Sequence, residues 1–287
     1  MDDQVIASRF DAERPRLRAV AYRILGSLSE ADDAVQEAWL RLQRTGAEQI
    51  ENLDGWLTTV VARVCLNMLR TRSRQREEPL EGYVAEPLVS PATGDDPEYE
   101  ALLSDAVGVA LQVVLETLTP PERVAFVLHD MFAVPFDEIA SLIERSPQAA
   151  RQLASRARQR VQDTAPVPDV DMQAQRTIVD AFFAASRNGD LDALIAVLDP
   201  DVVIRNHHRE RVTEIHGAER VARGALQFRS FAPFVRPALI NGAAGVVAFD
   251  GEQAFALLAF TVQGGRAVAI DIFNDRQLVP KLVRSVR

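Results

Sequence analysis

"PFDEIASLIERSPQAARQLASRARQRV", residues 135–161, carries two apolar patterns on either side of a short break. Before the break, Phe136, Ile139 and Ile143 line one side of a short helix, and Ala140 is small where a second helix must approach closely. After it, Ala150, Leu153, Ala154, Ala157 and Val161 form a second buried stripe. Gln148, Arg151, Gln152, Ser155, Arg158 and Gln159 then share the opposite, solvent-facing side. Ser146 is placed to cap this helix, and Pro147 suits its first position, where its missing N–H costs nothing. A short helix, a tight turn and a capped cationic helix make a helix-turn-helix, whose second helix enters the DNA major groove. Arg151 and Gln152 have the donor geometry for guanine and adenine edges, whereas Arg156, Arg158 and Arg160 suit phosphates, which position without reading sequence.

The rest of the chain sharpens the contrast. Net charge is -9 over 287 residues, and Lys281 is the only lysine among 32 basic residues. An acidic total does not exclude nucleic acid, because local patches decide phosphate affinity. A content of 47% hydrophobic and 25% charged residues is that of a globular protein, long enough for two or three domains. The absence of a long uncharged apolar run predicts no membrane span or membrane partner. The acidic start "MDDQVIASRF" lacks the plan of a signal peptide, so a cytoplasmic location is expected. The single cysteine, Cys65, fits a reducing compartment and sits in an apolar helical pattern, which predicts packing rather than reactivity.

Residues 2–26 read as one amphipathic helix stopped by Gly26. "SEAD", residues 29–32, reads as a capping box with Ser29 as the cap of a helix through about Leu42. A loop spans Thr45 to Asn52, and Asp54 is expected to cap the next helix, whose inner face is Leu57, Val61, Val64 and Met68. On that helix Arg63, Asn67 and Arg70 recur at steps of three and four, giving a second cationic face. Residues 77–97, with four prolines and many acids, read as a flexible linker. Helices resume over 98–163, and a second linker covers 164–171. From 172 the pattern changes to two helices joined at Asn188–Gly189, then short β-rich runs separated by turns such as Asp250–Gly251 and Gly264–Gly265. The expected architecture is multidomain: two all-α domains, residues 1–76 and 98–163, followed by an α+β domain, residues 172–287.

Together "DDAVQEAWLRL" with "GWLTTVVARVCLNMLR", and the stretch from "LTPPERVAF" to Val161, resemble regions 2 and 4 of an extracytoplasmic-function (ECF) sigma factor. The resemblance implies a promoter-specificity subunit whose partners are core RNA polymerase and promoter DNA, with no cofactor. It implies that Asp33, Gln36, Glu37 and Arg41 face the polymerase. The Thr45–Asn52 loop, Arg63 and Asn67, with Arg70 on the same face, would engage the −10 element. Gln148, Arg151, Gln152, Ser155, Arg156 and Arg158 would engage the −35 element, the matching reading positions being Arg151, Gln152, Ser155 and Arg156.

Residues 172–287 resemble a SnoaL-like, NTF2-like cone, an extension carried by one ECF subgroup. This implies regulation in cis, with no separate anti-sigma factor. "RNHHRE", residues 205–210, stands where that subgroup has "DGGGK", and "NDRQL", residues 274–278, stands for "NPDKL". Asn274, Asp275 and Leu278 survive as candidate regulatory anchors between domains, and the cone is a place for an unidentified small ligand. Two other readings remain open at this level. One is a one-component DNA-binding regulator with a ligand-sensing cone. The other is an enzyme using Asp271 as a base within the cone. His207, His208 and Glu210 would need a turn to converge on a metal, since adjacent strand residues point oppositely, so no metal site is expected.

Overall fold

The computed structural model describes residues 3–46, 50–75, 86–92, 109–164, 169, 171–208 and 211–283, which fall into two compact units. The start of the helix expected after residue 98, most of the first linker and Glu210 lie outside the described residues.

In the first unit, α1 (Asp3–Leu25), α2 (Leu28–Thr45) and α3 (Leu53–Gln75) pack together through Leu17, Val20, Ile24, Val35, Leu42 and Val61, all buried. Two caps differ from the sequence reading. Gly26 turns α1 off in the left-handed conformation, so Ser27 becomes the extended residue and α2 begins before Ser29. Ser27 Oγ therefore accepts the Glu30 N–H, and Ser29 lies inside the helix. Likewise Asn52 Oδ1 accepts the Gly55 N–H at 3.1 Å, because α3 starts two residues earlier than expected and takes in Asp54.

The second half of this unit contains α4 (Val109–Thr117) from Gln112 onward, α5 (Pro120–Phe126), a π-helical turn over Val127–Met131, α6 (Phe136–Ile143) and α7 (Pro147–Thr164). Glu122 Oε2 accepts from both the Thr119 N–H and its hydroxyl, at 3.1 and 2.7 Å, which fixes the start of α5. The two helical regions expected as separate domains close into one unit, with α3 touching α5 and α6 as well as α1 and α2. At ~100° per residue, the buried Leu57, Val61, Cys65, Leu69, Ala62 and Leu66 sweep about half the circumference of α3, enough for neighbours on both sides. Burial pushes the Cys65 thiol pKa far up, as packing predicts.

The second unit is a seven-stranded sheet ordered β1-β4-β5-β6-β7-β2-β3. Its strands are β1 (Val89–Pro91), β2 (Leu198–His208), β3 (Arg211–His216), β4 (Val235–Ile240), β5 (Ala243–Asp250), β6 (Gln253–Gln263) and β7 (Arg266–Phe273). All neighbours are antiparallel except β2 and β7. The helices α8 (Met172–Asn188), α9 (Leu191–Ala196) and α10 (Ala218–Gln227) cover one face through Val179, Phe182, Leu194, Val221, Val246 and Phe260. A short α11 (Val279–Leu282) follows the sheet.

Described residues of both linkers are bound to this sheet. Residues 89–91, read from sequence as part of a loose tether, pair with β4, and Leu88 exchanges two hydrogen bonds with Asn241 in the β4–β5 turn. Leu88, Val89 and Ser90 are buried, so the apolar pair within an otherwise acidic, proline-rich stretch closes an edge of the sheet. In the second linker, Asp169 accepts the Gly264 and Gly265 N–H groups at 3.1 and 3.2 Å and donates its own N–H to Val262.

Candidate nucleic-acid interface

The α6–α7 corner is built tightly. Glu144 takes a left-handed conformation with φ 60°, the chain turns through Arg145, and Ser146 Oγ accepts the Ala149 N–H at 3.2 Å. The floor of α7 is alanine: Ala150, Ala154 and Ala157 are fully buried, which lets the helix lie close to α5 and α6. Gln148, Arg151, Gln152, Ser155 and Arg156 are all exposed on the outer side. The Arg151 guanidinium lies 5.5 Å above the Phe136 ring, an arrangement that limits its sweep without neutralising its charge.

Arg158 has a partner within its own unit. It is half-buried, and its Nε donates to Asp130 Oδ1 at 2.6 Å, so its charge braces α7 to the preceding π turn. Arg160 leans the same way, 3.6 Å from Glu122. His129, in that turn, stacks on Phe136 at 3.8 Å and is structural.

On α3, Arg63 and Asn67 are exposed and Arg70 half-exposed, all within the arc that the core leaves open. Residues 47–49 of the adjoining loop lie outside the described residues. On α2, Asp33 and Gln36 are exposed, while Arg41 Nε donates to Glu37 Oε1 at 2.8 Å. That hydrogen bond, with the charges of Arg41 and Arg44, holds the Glu37 carboxyl below its ordinary pKa. Sequence reasoning missed Leu40. It is 42% exposed among these charged residues, and its position seven residues after Asp33 puts it on the same face.

One face of the sheet, with α8 and α10, lines a cavity of about 220 Å³. Ile204 and Asn206 from β2, Ile270 and Ile272 from β7, and Asn274 just after β7 line it. Strand alternation puts Arg205, His207 and Asp271 on the other face. There Asp271, fully buried, lies 2.8 Å from His207 Nε2 and 3.6 Å from Arg205 Nη1, and the His207 ring stacks on Phe273 at 4.5 Å. The idea of Asp271 as a base inside the cone therefore fails on geometry, since its carboxylate faces away from the cavity into an ion-paired cluster. His207 is buried and His208 exposed, and no group of metal-ligating residues forms among the described residues.

Of the three anchors in "NDRQL", Asn274 is in the cavity wall. Asp275 Oδ1 accepts the Gln277 and Leu278 N–H groups, which shapes the turn, and Leu278 caps α11. Among the described residues no helix is long and apolar enough to cross a membrane.

The profile of Sigma-70 region 2 matches residues 9–75, and that of Sigma-70 region 4 matches residues 108–161. The chain is 38% identical over 285 residues to the ECF RNA polymerase sigma factor SigJ of Mycobacterium tuberculosis, covering 93% of this chain and 91% of that protein. It is 34% identical over 268 residues to the probable ECF RNA polymerase sigma factor SigI of the same species, covering 93% and 92%. The crystal structure of Mycobacterium tuberculosis SigJ superposes with a TM-score of 0.77 at 34% identity, covering 98% of this chain and 99% of that one.

Proposed function

We propose, from the premise that this chain belongs to the ECF RNA polymerase sigma factors and carries a SnoaL-like C-terminal domain, a division of labour among its surfaces. As a sigma factor it binds core polymerase and directs transcription initiation, so a one-component regulator is set aside. On α2, Asp33, Gln36, Glu37 and Arg41 dock on polymerase with Leu40 as their apolar centre, since such contacts place an apolar core inside a polar rim. The α3 face, Arg63, Asn67 and Arg70, holds the opened −10 strand. On α7, Gln148, Arg151, Gln152, Ser155 and Arg156 read the −35 duplex, with Arg158 acting mainly as a brace. The protein works in the cytoplasm, where polymerase is.

The C-terminal domain regulates in cis rather than catalysing a reaction, and the chain needs no separate anti-sigma factor. Asn274, Asp275 and Leu278 serve this regulation by shaping the turn beside the cavity. The observation that carries the reading is the pairing of the tether strand β1 with β4, locked at Leu88 and Asn241. A tether captured by a sheet shortens the chain free to connect the two promoter-binding regions. The experiment is promoter-directed transcription with purified core polymerase, comparing the full chain with Asn241→Gly. Glycine tolerates the positive φ of 49° at this turn while deleting the side-chain bond to Leu88. Output should rise several-fold with polymerase affinity unchanged. Unchanged output would remove cis restraint through β1.

A further inference from the structure

The cone cavity is a built site whose chemistry can be read from its walls. At about 220 Å³ it lies between an apolar cavity of ~150 Å³ that accepts one benzene ring and the ~300 Å³ lower bound of drug-sized pockets. Among the described residues lining it, none is ionisable. A charged guest would therefore give up its hydration without meeting a counter-ion. Five phenylalanines contribute, with Phe182 and Phe183 edge to face at 5.4 Å and Phe231 and Phe255 at 5.2 Å. Phe228, at the rim, is 64% exposed, a large aromatic surface that folding leaves in water.

Besides Ser186, whose hydroxyl already donates to Ala225 O, two amides supply the polar contrast. Asn206 lines the cavity half-buried, and its side chain makes no hydrogen bond among the described residues. Asn274 Oδ1 lies 3.3 Å from His208 Nδ1; with that nitrogen donating, the Asn274 amide N–H groups stay available to a guest.

We infer that the cone binds an uncharged, one- or two-ring aromatic molecule bearing a hydroxyl or carbonyl oxygen, which Asn206 and Asn274 orient. With no acid or base in the wall, the site binds its guest without proton transfer. This inference concerns occupancy alone and is independent of cis restraint, so each can fail without the other.

The test uses the full chain and two fluorescent probes of equal ring size, neutral 2-naphthol and anionic 2-naphthoate. The expected result is saturable one-to-one binding of 2-naphthol and at least tenfold weaker binding of 2-naphthoate. Ala256→Phe, which fills the cavity, should abolish binding. Because Ala256 is buried and that variant can misfold, Asn206→Leu at a half-exposed position provides the second check, with binding weakened about three- to tenfold. Absence of saturable 2-naphthol binding overturns the inference. So does equal affinity for 2-naphthoate, or binding that neither variant alters in proteins that still fold.

Discussion

The helices α3 and α7 both carry arginines outward, yet they are held in opposite ways. Under α3 lie Leu57, Val61, Leu66 and Leu69, and the helix is core on two sides. Under α7 the fully buried residues are Ala150, Ala154 and Ala157, with Leu153 and Val161 half-buried beside them, and polar struts add to this: the Ser146 cap, the Arg158–Asp130 pair and the approach of Arg160 to Glu122. A helix with an alanine floor buries little apolar area but sits close to its neighbours, so its backbone fixes where each outward side chain begins. A helix with a leucine floor stabilises the unit, and its outer strip is what the core leaves over. Damage to the first should therefore alter recognition, and damage to the second should alter folding.

The largest effect tests the core half of this contrast. Leu66→Ala should cost about 2–5 kcal/mol in urea unfolding, through lost burial and the cavity left behind. The Cys65 thiol gives an independent measure. With its pKa raised by burial, it should stay protonated and unreactive toward a thiol reagent near pH 8, then react faster in the variant. A cost below about 1 kcal/mol with a thiol already reactive in the native protein would end the claim that α3 is core.

Next is the recognition half. Arg151→Ala should weaken promoter use by about 1–3 kcal/mol and relax preference at one −35 base. Its unfolding midpoint should stay within about 0.5 kcal/mol of the parent, because the side chain is exposed. Equal loss on every promoter sequence would reassign Arg151 to phosphate contact.

The same contrast explains what the amino-acid sequence discloses. Periodicity shows α7 plainly, because its buried positions are small and its outer ones cationic. The buried face of α3 is wider than the stripe Leu57, Val61, Val64 and Met68 suggests, since its second set of neighbours comes from helices far along the chain. Strand β1 is harder still. Three residues among prolines and acids carry no period, and their pairing with β4 is a long-range choice. One local cue is present: Asn241–Gly242 is a hairpin dipeptide that marks β4 and β5 as a pair, but nothing local says what joins β4 on its other edge. Asp271 shows a different limit. An acid in a strand is visible in sequence, but which face of the sheet it joins depends on register, and register sets it opposite the cavity.

The smallest effect concerns the turn that aims α7. Glu144 holds a left-handed φ of 60° with a side chain attached, in a corner where glycine is the usual occupant. For a non-glycine residue that conformation costs about 1–2 kcal/mol, and glycine's larger entropy loss on folding offsets about 0.5–1 kcal/mol of the relief. Glu144→Gly should therefore stabilise the first unit by no more than about 1 kcal/mol, seen as a higher urea midpoint at unchanged slope. The sign is the informative part. A gain with promoter preference intact means the Ser146 cap and the alanine floor are enough to aim α7. A loss of preference despite a gain in stability would mean the strained corner itself sets the helix's angle, so that recognition by α7 depends on a conformation its own sequence disfavours.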